Sequence, residues 1–172
     1  ARAEVLFHLA ADASADDAPG AAARIVDANL RFATLAVDAF AASGGRAVVH
    51  AGSFWEFGED GAGPPNSLYA ATKLAFRIVL GRYAARGLAA ASLTLFDVYG
   101  LSDPRPKLLP RLLAAWRRGE TFALSPGGQI VDLVHVDDVA AAFVAAARAL
   151  AATGTDGTLQ DWRVGGGDRR TL

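Results

Sequence analysis

Residues 47–73 read AVVHAGSFWEFGEDGAGPPNSLYAATK, and three signals follow one another within them. Ala47–Gly52 is a short, continuous apolar run rich in β-branched residues, as expected of a strand buried in a parallel sheet. A fourteen-residue loop, 53–66, comes next and is long enough to carry a functional role. Asn66 or Ser67 then caps a helix expected to run to about Ala85. On the N-terminal side, VLFHLA (Val5–Ala10) is a second apolar run, expected to be buried on both faces. It is followed by the polar loop DASADDAPG and by a helix from Ala21 to Ala42. That helix carries Ile25, Leu30, Leu35, Val37 and Phe40 at broadly helical spacing and stops at Ser43-Gly44-Gly45. On the C-terminal side, Ala91–Phe96 (ASLTLF) is a third strand. Strand, helix, strand, helix, strand predicts an α/β, Rossmann-like parallel sheet flanked by helices and joined by right-handed crossovers.

Beyond residue 100 the pattern changes. DPRPKLLP leads into a helix through Trp116, and FALSPGGQIVDLVHV reads as two short strands about a turn at Pro126–Gly128. Asp137 or Asp138 caps an alanine-rich helix to about Ala152, and LQDWRVGGG supplies a last strand with a glycine turn.

Composition narrows the function classes. The 172 residues are 52% hydrophobic and 20% charged with a net charge of -1, which is the profile of an ordinary soluble domain with one sizeable core. No basic stripe alternates with aromatics, so no nucleic-acid partner is expected. With no cysteine there is neither a disulfide scaffold nor a thiolate metal site, in keeping with a cytoplasmic location. The apolar run from Val139 is interrupted by Arg148 and is too short to span a bilayer, so no membrane partner is expected. His8, His50 and His135 lie at no helpful metal-ligand spacing and read as core or strand histidines. The chain contains no methionine and opens on the verge of a strand, and is expected to be a piece of a longer protein.

Among 17 Lys plus Arg residues only Lys73 and Lys107 are lysines. Arginine cannot release its proton, whereas a lysine pKa moves readily, so a lysine kept against this bias is a candidate for chemistry. Lys73 stands four residues after Tyr69, which puts both on one helix face. A neighbouring ammonium favours the phenolate, bringing tyrosine nearer the range where it exchanges a proton with a hydroxyl or carbonyl. Ser53, at the carboxyl end of the second strand, could hydrogen-bond the same reacting oxygen. Taken alone, the pair reads more readily as an amphipathic helix residue beside a solvated charge, and it is the context that reverses this.

Six stretches in order widen the context: FHLAA (7–11), Asn29, HAGSFWEFG (50–58), YAATK (69–73), LFDVYG (95–100) and GGQIVDLVHVDDVAAAF (127–143). With these the chain resembles, over essentially its whole length, the extended short-chain dehydrogenase/reductase family, the NAD-dependent epimerase/dehydratase group acting on nucleotide sugars. The resemblance implies Tyr69 as the catalytic acid-base, Lys73 as the residue that lowers its pKa and binds the nicotinamide ribose, and Ser53 as the holder of the reacting oxygen. It implies NAD or NADP as cofactor, lined by Leu9, Ala10, Ala11, Phe96 and Val98 together with Tyr69 and Lys73. It places the nucleotide-sugar substrate against Ser53, Phe54, Trp55, Asp97, Arg105, Lys107 and Leu108. Lys107 reads equally as a phosphate contact or a solvated helix-start lysine. Asn29 resembles the family asparagine that shapes the helix near the active site. Of Asp137 and Asp138, helix caps first, the family buries one.

The resemblance also implies an organisation. Residues 1–100 would form the C-terminal part of the dinucleotide-binding domain with the catalytic residues. Residues 101–172 would be mainly substrate-binding, with 129–150 returning to the core. Helices 21–42 and 67–85 would pair across a homodimer. No Gly-x-x-Gly-x-x-Gly turn is present to cradle a pyrophosphate. Family dehydratases place an Asp-Glu pair after the catalytic hydroxyl, where this chain has Phe54 and Trp55, so elimination is not expected. SLYAATKLAF, LFDVYGLSDPRPKLLP and LSPGGQIVDLVHVDDV are similar to reductases of the CDP-abequose synthase kind, which favours reduction of a 4-keto-deoxyhexose nucleotide. A C4 epimerase, or a non-catalytic binding or association module, stands as the alternative. Two departures are Val131, where many relatives carry arginine, and Arg77, where many carry glutamate.

Overall fold

The computed structural model describes residues 3–14, 20–58, 61–100, 103, 107–124 and 126–171. Its main sheet holds four parallel strands: β1 (Val5–His8), β2 (Ala47–Ser53), β3 (Ala89–Leu95) and β7 (Leu159–Val164), in the order β1-β2-β3-β7. The register pairs His8 with His50, His50 with Ser92 and Ser53 with Leu95, so the carboxyl ends of the strands lie at one edge.

Because side chains alternate along a strand, Val48 and Val49 serve opposite faces. Val48 and Ala90 pack with Ala33, Val37, Phe76, Leu80 and Ala84, whereas Val49, Ala91 and Leu93 pack with Val139, Phe143, Ala146 and Leu150. The result is three layers: α2 (Phe32–Ala42) and α3 (Leu68–Ala84) on one side, and α5 (Val136–Thr153) on the other. Alanines at 89–91 let both helical layers approach β3 closely. The parallel α/β fold expected from the sequence is therefore present. Its fourth strand, β7, comes from beyond the 129–150 stretch expected to return to the core.

Several local expectations are corrected. β1 ends at His8, not Ala10, and among the described residues it is an edge strand whose one neighbour is β2; Phe7 is 42% exposed, so burial on both faces does not occur. The first helix is divided into α1 (Ala21–Val26), a π turn (Asp27–Arg31) and α2, and Leu35 points to solvent. The two strands expected about Pro126–Gly128 both lie after that turn and do not pair with each other. β5 (Ile130–Val131) pairs antiparallel with β8 (Arg170–Thr171), and β6 (Leu133–His135) pairs parallel with β4 (Asp97–Tyr99). The cap of α5 is His135, whose Nδ1 accepts the Asp137 N–H at 3.3 Å, while Asp137 and Asp138 are both exposed in the first turn. Helix α4 (Leu108–Arg118) begins at Lys107 and ends at Gly119 with φ 66°. Among the described residues no helix is long and apolar enough to cross a membrane.

Candidate active site

Ser53 is the last residue of β2 and the N-cap of a 3-10 turn, Phe54–Phe57. Its Oγ accepts the Trp55 N–H at 3.3 Å, which occupies a lone pair and leaves the hydroxyl hydrogen for donation. The fourteen-residue loop thus begins with a hydrogen-bonded turn. Ser67 caps α3 by accepting the Ala70 N–H at 3.2 Å, and this starts the helix so that Tyr69 lies in its first turn and Lys73 one turn further. Helix α3 packs against both β2 and the 3-10 turn, bringing the end of the strand and the start of the helix to one place.

Lys73 is 2% exposed, which removes the solvated-charge reading. Burial pushes its ammonium down to about 8, and the Glu56 carboxylate pulls in the opposite direction. Near it lie His8 and His50, both buried, with their Nδ1 atoms 3.4 Å apart and their rings packed on Phe76. Burial first and the Lys73 charge second lower the pKa of each, so both rings are neutral at pH 7. These two histidines are core residues, as the sequence indicates.

Asn29 is buried in the π turn. Its side chain accepts the Asp12 N–H at 2.7 Å and donates to the Asp12 carbonyl at 3.0 Å and to Thr72 Oγ1 at 3.1 Å. It ties the loop leaving β1 to the α3 turn that carries Lys73. Arg24 makes an ion pair with Asp12 on the same loop. The widened turn aims a polar residue inward from an otherwise apolar helix, a known use of π turns near functional sites.

Leu9, Ala10 and Ala11 follow β1 and are exposed at the carboxyl edge of the sheet. Phe54 stacks on Phe96 with centroids 5.3 Å apart and an interplanar angle of 6°, Trp55 packs on Phe54 at 4.3 Å, and the Arg169 guanidinium lies 5.5 Å from the Phe96 centroid. Val98 pairs with Val134 and packs against the α5 side of the core. Burial pushes the Asp97 carboxyl up, with Lys107 opposing. Lys107 Nζ donates to the Val98 carbonyl at 3.1 Å and lies 4.0 Å from Asp103, so it is anchored to protein rather than freely solvated. Leu108 opens α4 beside it. Arg105 lies outside the described residues.

Two groups have a role not read from the sequence, although Arg77 stood out there as a departure from the family. Glu56 and Arg77 form a buried ion pair, Nε to Oε2 at 2.7 Å, and Ser53-x-x-Glu56 is a capping box whose spacing is readable in the sequence. Both Glu56 oxygens are committed, one to Arg77 and one to the Ser53 N–H, so the carboxylate nearest the serine in sequence is not available to protonate a leaving group. Asp132, also buried, accepts the Gly166 N–H at 2.6 Å and pairs with Arg169 at 3.5 Å. A Cβ on Gly165 would stand 2.5 Å from Asp132 Oδ2, which explains the glycine there. Among the described residues no group of three or more His, Asp or Glu is placed to hold a metal.

The strand-end Ser53 and the helix-borne Tyr69 and Lys73 thus lie at the carboxyl edge of a parallel sheet, where open α/β folds bind their ligands. The chain belongs to the NAD dependent epimerase/dehydratase family, whose model matches residues 1–164. It is 30% identical over 121 residues to CDP-abequose synthase of Yersinia pseudotuberculosis, covering 70% of this chain and 43% of that protein. Among solved structures, MoeE5 in complex with UDP-glucose and NAD is 29% identical at a TM-score of 0.79, covering 98% of this chain and 58% of the other. UDP-glucuronic acid 4-epimerase from Bacillus cereus, in complex with NAD, superposes at a TM-score of 0.82 with 21% identity, covering 98% and 56%, a likeness of fold. The chain spans about half the length of these relatives.

The family is NAD-dependent, and the residues here fit one end of that cofactor. The buried Lys73 ammonium suits ribose hydroxyls, and the exposed Leu9, Ala10 and Ala11 offer an apolar and backbone surface for a flat ring. A glycine turn for the pyrophosphate is not among these residues.

Proposed function

We propose that the protein is an NAD(P)-dependent oxidoreductase of nucleotide sugars that reduces a 4-keto (deoxy)hexose, or oxidises the corresponding C4 hydroxyl. The observation that carries this reading is the burial of Lys73 one helical turn from Tyr69, on the helix packed against the turn that Ser53 caps. A buried cation is costly to keep unless its charge is used, and a cation one turn from a tyrosine is placed to stabilise a phenolate formed during proton transfer.

In this mechanism the Ser53 O–H donates to the 4-oxygen and polarises the carbonyl. A reduced NAD(P)H held there would supply the hydride that C4 accepts. Tyr69 delivers its phenolic proton to the developing alkoxide, so C=O becomes CH–OH, and Lys73 stabilises the phenolate left behind. Lys73 also holds the ribose, with Leu9, Ala10, Ala11, Phe96 and Val98 lining the cofactor. Phe54, Trp55, Asp97, Arg105, Lys107 and Leu108 surround the sugar nucleotide. Commitment of Glu56, with Phe54 and Trp55 following Ser53, argues against elimination chemistry.

Likeness to CDP-abequose synthase supports reduction. A second reading is C4 epimerisation with retained NAD; likeness to MoeE5, which was solved with NAD and UDP-glucose and with NAD and UDP-glucuronic acid, supports a nucleotide sugar beside NAD and is compatible with either reaction. Residues 1–100 would then be the catalytic part of the dinucleotide domain and 101–172 mainly the substrate portion. The exposed Val26, Phe32, Leu35 and Ile78 would face a second copy in a homodimer. The test is incubation of the full-length protein with 4-keto nucleotide sugars and NADH or NADPH, and separately with UDP-hexoses alone. Cofactor oxidation identifies the reductase, and interconversion of C4 epimers without added cofactor identifies the epimerase. Neither activity across CDP-, dTDP-, UDP- and GDP-sugars would overturn both.

A further inference from the structure

Glu56 is 1% exposed and lies directly under Ser53. Its Oε1 accepts the Ser53 N–H at 2.7 Å, and its Oε2 accepts from Arg77 Nε at 2.7 Å. The guanidinium continues outward, with Arg77 NH2 donating to Thr94 Oγ1 at 2.7 Å and NH1 pairing with Asp161 Oδ1 at 2.8 Å. Thr94 donates in turn to Asp161 at 3.1 Å. One network therefore joins the end of β2 to α3, β3 and β7, converging on the backbone of Ser53. Packing leaves it no slack: a Cβ on Gly52 would stand 2.9 Å from Arg77 NH2, 2.9 Å from Ser92 Oγ and 3.1 Å from Glu56 Oε1.

Stability alone does not account for such a pair. Burying two charges costs several kcal/mol per ion before their attraction offsets it, and apolar residues of similar volume often do as well or better. What a carboxylate does here that an apolar residue cannot is fix a backbone N–H and, through it, the direction of the adjoining side chain. Ser53 Oγ is already held by the Trp55 N–H, so backbone and hydroxyl are set together.

We propose that Glu56, clamped by Arg77, is a positioning residue that fixes where the Ser53 hydroxyl stands relative to Tyr69 and Lys73. This rests on the reading of Ser53 as the group that holds the reacting oxygen. Glu56→Gln keeps the shape, but its amide can accept from only one of the two donors and turns an N–H toward the other.

The test uses the full-length protein. Glu56→Gln is expected to lower kcat by about 10- to 100-fold with KM within about threefold, the signature of a misplaced reacting group. Combined with Ser53→Ala it should add little further loss, because it acts through that serine. Additive losses in the double variant, or an unchanged kcat in the single one, would overturn the proposal. Hydrogen exchange at the Ser53 amide gives a readout without turnover: protection in the wild type and its loss in Glu56→Gln are expected, and equal protection would contradict the clamp. A wild type that turns over no sugar nucleotide yet loses this protection in the variant would sink the catalytic reading while leaving the clamp standing. Should Glu56→Gln fail to fold, Arg77→Lys, which keeps the cation and loses the fork, is read by the same criteria.

Discussion

His8 and His50 face each other across β1 and β2 with their Nδ1 atoms 3.4 Å apart, buried near Lys73, and among the described residues neither Nε2 has a hydrogen-bond partner. Burial foremost and the Lys73 charge next hold both below the usual imidazole range. The unfolded chain, with ordinary histidines, therefore binds protons that the folded chain refuses. Stability from this source is full above the unfolded pKa of about 6.5 and is lost as pH falls from there through the depressed folded values. Thermal denaturation between pH 7.5 and 5 should show a falling Tm, and the fall should shrink in His50→Gln. A Tm equally flat in both proteins would contradict the assignment.

Lys73 gives a prediction of opposite sign for stability and activity. Its pKa of about 8, against 10.5 unperturbed, means that the fold disfavours the ammonium at neutral pH by about 3 kcal/mol. Because the folded pKa is depressed, the cost is full below about pH 8 and is relieved as pH rises from there toward 10.5. Lys73→Met should therefore raise Tm at pH 7 while reducing turnover at least 100-fold, and Lys73→Arg should not restore the activity. Calorimetry beside steady-state rates checks both halves.

Asn29 should matter through α3 and the β1 loop. Asn29→Leu removes three hydrogen bonds and leaves the Asp12 backbone and Thr72 without that partner, so a loss of about 2–3 kcal/mol is expected. Urea denaturation measures it. Asn29→Asp retains the bond from the Asp12 N–H and should lose less.

Gly166 closes on the Leu133 carbonyl, where a Cβ would clash with backbone. Gly166→Ala should therefore shift the 165–171 segment, break the bond to Asp132 and destabilise the protein by more than about 2 kcal/mol. Gly128→Ala, where nothing lies within 4 Å of the added carbon, is the control and should change Tm little.

Much of the fold was legible because it depends on short-range signals. Apolar runs at Val5, Ala47 and Ala91, separated by helical spacing and closed by Ser67 and Gly44, leave few topologies other than a parallel sheet. Ser53, Tyr69 and Lys73 were legible from residue type and the four-residue spacing. The failures share a physical cause. Whether β1 is an edge, and whether β5 and β6 pair with each other, depends on partners distant in sequence, and Leu133–His135 found Asp97–Tyr99 instead of its neighbour. The His135 cap was hidden by two aspartates, each a better cap by type. Arg77 stood out in the sequence only as a departure; its reason is Glu56, twenty-one residues away.

The central claim is that Tyr69 moves the proton that accompanies hydride transfer at a sugar carbon. The most direct measurement is turnover of a 4-keto nucleotide sugar by full-length protein with cofactor deuterated at the transferable position, wild type against Tyr69→Phe, followed by NMR of the product. The account predicts deuterium at C4 in the wild type and a rate lower by 100-fold or more in Tyr69→Phe, in the range general acid-base catalysis supplies. Deuterium absent from C4, or a Tyr69→Phe rate equal to that of the wild type, would contradict it.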